Sequence, residues 1–168
     1  MKNIYLFCLL LLCSFICFFG QANPVSEKQY STLSVEQAYI RATIPGASNS
    51  SAYMVIENKG EKTITLLSAN SKVSPRIEIH EHTMADGMMR MRKLNSIDIK
   101  PKERVKLQPS GLHLMVFDVK TPLKAQQQVE LTLNFSNNES VSVQVPVYSP
   151  IQEQAAQKSM PKMHKHHH

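Results

Sequence analysis

Two runs of strict period-two alternation lie close together in the last third of the chain, and they leave little choice of architecture. Val129, Leu131, Leu133 and Phe135 form the first; Val141, Val143, Val145 and Val147 form the second. Successive side chains of an extended backbone point to opposite faces, so each run is a strand with one apolar face. The polar tetrapeptide Ser136-Asn137-Asn138-Glu139 between them closes the pair as a hairpin. Further strands are expected at Ala38 to Ala42, Ser51 to Asn58, Thr63 to Ser68, Arg76 to His82, Met88 to Leu94, Arg104 to Leu107 and His113 to Val119. Turn signals separate them at Asn58-Lys59-Gly60, Asp86-Gly87 and Pro109-Ser110-Gly111.

No stretch sustains a 3.6-residue apolar period, so little helix is expected. Many short strands with antiparallel hairpins and no βαβ rhythm are best buried as two packed sheets. The fold class expected is all-β, a Greek-key β-sandwich over residues 33–149. A chain of 168 residues with 42% hydrophobic content suffices for one such core and not for two. After Pro150 the composition turns to Gln, Glu, Ala, Met, Lys and His, too polar to join the core, and residues 150–168 are expected to be a flexible Met/His-rich tail.

At the other end, Lys2 precedes an almost unbroken apolar run from Ile4 to Phe19, followed by Gly20-Gln21-Ala22. This pattern is a secretory signal peptide over residues 1–22, cleaved after Ala22, with residues 23–32 as an N-terminal segment. The run is shorter than the roughly 20 apolar residues that span a bilayer. The expected location is the periplasm, without stable membrane insertion. Cys8, Cys13 and Cys17 all lie in the leader, and none follows the small residues of a lipoprotein cleavage site. A cleaved chain has no cysteine, which excludes a disulfide framework, a thiolate zinc site, a thiol nucleophile and a blue-copper centre. The net charge of +6 is spread without a basic run or interleaved aromatics, so no nucleic-acid partner is expected.

Methionine and histidine concentrate where the strands are expected. Of nine methionines, eight follow the leader, and seven of those lie at Met84, Met88, Met89, Met91 and Met115 or in the tail at Met160 and Met163. A lone methionine is usually a filler of core gaps. Residues two apart on a strand share a face, however, and His80 with His82, Met89 with Met91, and His113 with Met115 are such pairs. The Asp86-Gly87 turn folds the His80 segment back beside the Met91 segment. Thioether sulfur is soft and suits Cu(I), whereas hard cations demand oxygen ligands.

The sequence resembles the periplasmic copper chaperones of the PCuAC family. His80, ten residues, Met91, twenty-one residues, then His113-x-Met115 reproduce that family's signature, within His80-Glu81-His82-Thr83-Met84, Gly87-Met88-Met89-Arg90-Met91-Arg92 and Gly111-Leu112-His113-Leu114-Met115. The resemblance runs from about Leu33 to Val147. It implies a cupredoxin-like sandwich, Cu(I) held by His80, Met91, His113 and Met115, and supply of copper towards the CuA centre of cytochrome c oxidase. The partner would be oxidase subunit II or a thiol-containing copper assembly protein. His82, Met84 and Met89 fall outside the signature, as neighbours that shield or tune the site. The four ligands are expected on a surface-facing patch, where replacing one costs affinity and little folding.

In the tail, Met160, Met163, His164, His166, His167 and His168 suit a metal-collecting arm that accepts Cu(II) on its imidazoles, or else are a remnant of an affinity tag. Enzyme activity is not expected, since neither a nucleophile-elbow glycine pattern nor a His-Glu-x-x-His motif is present. Copper storage or detoxification and a metal-free interaction module are the other functions open at this point.

Overall fold

The computed structural model describes residues 32–85 and 87–159. The leader, the cleavage point and the tail donors Met160 to His168 lie outside the described residues. The elements are β1 (Leu33–Arg41), β2 (Ser50–Asn58), β3 (Ile64–Asn70), β4 (Arg76–Ala85), β5 (Met88–Leu94), β6 (Ile97–Ile99), β7 (Arg104–Leu107), β8 (Leu112–Phe117), β9 (Gln128–Phe135), β10 (Ser140–Tyr148) and a helix, α1 (Pro150–Ser159). None of the described helices is long and apolar enough to cross a membrane.

Hydrogen-bonded neighbours follow the order β5-β4-β8-β2-β1-β10-β9-β3-β6, with β7 also against β2. The path folds into two layers. One holds β5, β4, β8, β2, β7 and β1; the other holds β10, β9, β3 and β6; the parallel β1–β10 pair, with Ile40 beside Val147, joins them. Between the layers, Ile40, Ala52, Met54, Ile56, Ile79, Leu114 and Val116 meet Leu66, Ile99, Leu131, Leu133, Val145 and Val147, all buried. Apart from Ala52, each of these side chains contributes about 1.5–3 kcal/mol relative to exposure. The β9–β10 hairpin pairs Leu133 with Val141 and Leu131 with Val143, as the alternation requires.

A bulge in β1 sets what the outer face carries. Val35 pairs with Ile56 before it and Ile40 with Ala52 after it, with Gln37 in the left-handed region at φ 53°. The extra residue inverts the parity, so that Tyr39 and Arg41 turn outward while Ile40 enters the core.

Two elements depart from expectation. The three-residue β6 places Ile97 and Ile99 inward beside β3. The segment expected as a flexible tail from residue 150 begins instead as α1. Ser149 and Gln152 cap it reciprocally: the Gln152 amide oxygen accepts from the Ser149 backbone N–H at 2.9 Å, and Ser149 Oγ accepts from the Gln152 N–H at 3.4 Å. Pro150 at the first helical position suits a fixed helical φ. Glu153 then anchors the helix: its carboxylate, 6% exposed, takes Arg41 Nε at 2.8 Å and Arg41 Nη2 at 2.5 Å, with the Tyr39 hydroxyl at 3.5 Å. Burial, and then the Glu153 charge, push the Tyr39 phenol above its ordinary range.

Candidate metal centre

The outer face of the β5-β4-β8-β2 sheet carries the histidines and methionines because of its register. His80 lies directly opposite His113, Glu78 opposite Met115, and His82 opposite Met91; Met115 also pairs with Ser51 on its other side. Directly opposite residues of an antiparallel pair share a face. The reverse face of the same strands points Ile79, Leu114 and Val116 into the core.

His80, His113 and Met115 therefore form one compact group on β4 and β8. Met91 stands one row nearer the hairpin tip, in register with His82, and β4 separates it from β8. The His82 ring stacks on His113 with centroids 4.9 Å apart and planes at 21°, and the His80 ring lies 5.8 Å from His113. His82, which lies outside the four-residue signature, thus stacks on His113 and stands opposite Met91. Its position two residues from His80 already put it on this face.

The ring nitrogens are sorted by their partners. His113 Nδ1 lies 3.0 Å from the Gly111 carbonyl, so Nδ1 carries the proton and Nε2 keeps its lone pair. The same carbonyl accepts the His82 backbone N–H at 3.2 Å, which ties the β7–β8 turn to β4. His80 Nε2 is 2.9 Å from Glu78 Oε2, and Glu78 also receives Lys93 Nζ at 3.0 Å and Arg76 Nη1 at 3.3 Å. The hydrogen bond from His80, followed by that from Lys93, holds the Glu78 carboxyl at about 2. Among the described residues, Nδ1 of His80 and Nδ1 of His82 are buried and find no hydrogen-bond partner. Buried polar atoms are normally paired, and an orphaned imidazole nitrogen whose other nitrogen is held by a carboxylate has the arrangement of a metal ligand.

Accessibility differs among the four signature residues. Met91 is 48% exposed, whereas His113 is 2% exposed. The surface-facing patch expected from the sequence is corrected for His113: it faces away from the core, yet His82, His80 and Tyr53 cover it, with the Tyr53 ring 6.4 Å away. Burial, opposed by the Gly111 hydrogen bond, pushes the His113 imidazole below its ordinary value and favours the neutral ring. Met115 Sδ is 3.7 Å from Ser51 Oγ, which donates to it. Among the described residues no three His, Cys, Asp or Glu side chains make a metal cage by themselves. A metal on this face would need the thioethers.

Comparison with known proteins agrees with this architecture. Residues 33–147 match the model of a family described as putative lipoprotein, LpqE-like. A putative lipoprotein of Leifsonia xyli, Lxx21020, is 30% identical over 121 residues, covering 71% of this chain and 72% of that protein. An uncharacterized protein of Rickettsia prowazekii, RP573, is 30% identical over 101 residues, covering 60% of this chain and 56% of that protein. Among solved structures, the copper-bound PCuAC domain of PmoF2 superposes with a TM-score of 0.62 at 21% identity, covering 71% of this chain and 95% of that domain. Apo-DR1885 from Deinococcus radiodurans superposes at 0.57 with 27% identity, covering 79% of this chain and 91% of that one. The fold is thus the cupredoxin-like sandwich of the PCuAC domains, and the chain belongs to the LpqE-like family.

Proposed function

We propose that this protein is an exported copper chaperone that carries Cu(I) on His80, Met91, His113 and Met115. The observation that carries the proposal is the pairing of two imidazoles whose free nitrogens, His80 Nδ1 and His113 Nε2, are left by hydrogen bonds from their other nitrogens, beside the thioether of Met115 on one face. Imidazole and thioether together suit Cu(I). Structural relatives described as a copper-bound PCuAC domain and as CuI-DR1885 support the same metal.

All four donors are neutral, so an acceptor built from Cys thiolates would bind Cu(I) more strongly and draw it off. That chemistry fits the CuA centre of oxidase subunit II, or a thiol-containing assembly protein, as receiving partner. The apolar leader and the small residues before Asn23 support a periplasmic site of action after cleavage. Beyond α1, the donors Met160, Met163, His164, His166, His167 and His168 would collect copper, their imidazoles taking Cu(II).

Anaerobic transfer tests the proposal. The Cu(I)-loaded protein is mixed with the soluble copper domain of oxidase subunit II, or with a reduced dithiol assembly protein, and the metal is followed by native mass spectrometry. Copper should move to the acceptor. Copper that stays on this chain in both mixtures would instead make it a storage or detoxification protein.

A further inference from the structure

The β4–β5 hairpin extends past the proposed Cu(I) site, and its tip is unusual for a strand pair at a sheet edge. Among the described residues, seven large hydrophobic side chains are exposed, and four of them are the hairpin methionines: Met84 at 67%, Met88 at 57%, Met89 at 56% and Met91 at 48%. The register places Met84 directly opposite Met89 and His82 directly opposite Met91. These two rows alternate with rows that point to the other face, where Met88 stands opposite Ala85. Met84, Met89, Met91 and His82 therefore share the face that carries His80, His113 and Met115. Together they make an unbroken row of soft donors from the tip to the inner site.

We propose that Met84 and Met89, with Nδ1 of His82, form a second, outer Cu(I) station, linked to the inner site through Met91. The inference rests on the assignment of His80, Met91, His113 and Met115 as a Cu(I) site. Opposite Cβ atoms on a shared face stand about 4.5–5.5 Å apart, a separation that two flexible thioether arms close around one ion. Among these donors, His82 contributes a buried ring nitrogen that finds no hydrogen-bond partner among the described residues. It stacks on His113, so it touches the inner site while facing Met91 across the strand pair.

Passage between the stations is ligand exchange alone. The Cu–S bonds to Met84 and Met89 and the Cu–N bond to His82 break in turn as a Cu–S bond to Met91 and Cu–N bonds to the inner imidazoles form, copper remains Cu(I), and no proton leaves a thioether. Two thioethers and one imidazole hold the ion less firmly than the inner set, which suits an arrival and departure point. Packing does not explain these methionines, because they are exposed. An apolar docking surface would be served equally well by leucine, and that difference gives the test.

The full chain is labelled with carbon-13 at the methionine methyl groups and titrated with Cu(I) without oxygen, with resonances assigned by single Met→Leu variants. Met91 and Met115 should shift with the first equivalent, and Met84 and Met89 with further copper. The double variant Met84→Leu/Met89→Leu should keep the first response and transfer its Cu(I) more slowly to dithiothreitol. Met84 and Met89 methyls that stay fixed while Met91 and Met115 respond would overturn the outer station and leave the inner site standing. Further copper that moves only Met160 and Met163, or unchanged transfer from the double variant, would overturn it as well. Met91 and Met115 that never respond would overturn the inner site on which the inference rests.

Discussion

Replacing Glu78 should weaken Cu(I) binding although Glu78 is not itself a ligand. Its Oε2 sits 2.9 Å from His80 Nε2, so it fixes the proton on that nitrogen and presents Nδ1 as the donor. A carboxylate behind an imidazole also makes the ring a better base, and removing such a partner typically costs 10–100-fold in metal affinity. Glu78→Ala removes both the acceptor and the charge, and the expected loss is about 10–100-fold. Glu78→Gln keeps an acceptor without the charge, so its loss should fall between alanine and wild type. Lys93 and Arg76 each lose an ion pair in both variants, but both are well exposed, and screened surface pairs contribute little to stability. The assay is competition for Cu(I) against a chromophoric chelator of known affinity, with thermal unfolding of the apo protein as the control for fold. Wild-type affinity in Glu78→Ala, with a normal melting curve, would refute the role given to this carboxylate and the choice of His80 Nδ1 as the metal-facing atom.

Met91→Ala and His113→Ala should both abolish tight Cu(I) binding in the same competition, but only His113→Ala should destabilise the apo fold, by about 2–3 kcal/mol, because its ring is buried and Met91 is half exposed. Glu153→Ala should lower apo stability by about 1–2 kcal/mol, reduced from the value for a buried pair by the partial exposure of Arg41, and denaturant melts would read the loss. Burial holds the His113 pKa below that of the unfolded chain, so on acidification the unfolded state takes up its proton first; stability should fall as pH drops through the ordinary histidine value and level off below the folded-state value. Urea midpoints between about pH 7.5 and pH 5.5 should show this slope reduced in His113→Gln, and an identical slope in both proteins would refute it.

The strands were legible where one face is dry and the run is long. β9, β10 and β2 show their period because their inward positions are Val, Leu, Ile, Phe, Ala and Met with little interruption. The first half of β1 was not legible, since the bulge at Gln37 breaks the alternation between Val35 and Ile40. β6 is too short to display a period at all. α1 carries almost no apolar stripe, because what holds it is a buried Glu153 on an arginine 112 residues away in sequence. Its start was nevertheless written in Ser149-Pro150-Ile151-Gln152, a capping box with proline at the first position. The metal face was half legible: spacing along each strand gave the pairs, whereas the cross-strand register that puts His82 against Met91 and leaves His113 buried depends on pairings that no single segment contains.

The two halves of the proposed site differ in how firmly the sheet holds them. β4 and β8 are hydrogen-bonded to strands on both sides, whereas β5 ends the strand order, pairs among the described strands with β4 alone, and exposes six of its seven residues. An edge strand with so little buried surface opens locally at a small fraction of the free energy needed to unfold the domain. Fraying of β5 carries Met91 away while His80, His113 and Met115 keep their places. The lifetime of bound copper is then set by a local opening equilibrium, and amide protons of β5 should exchange with solvent far sooner than those of β8.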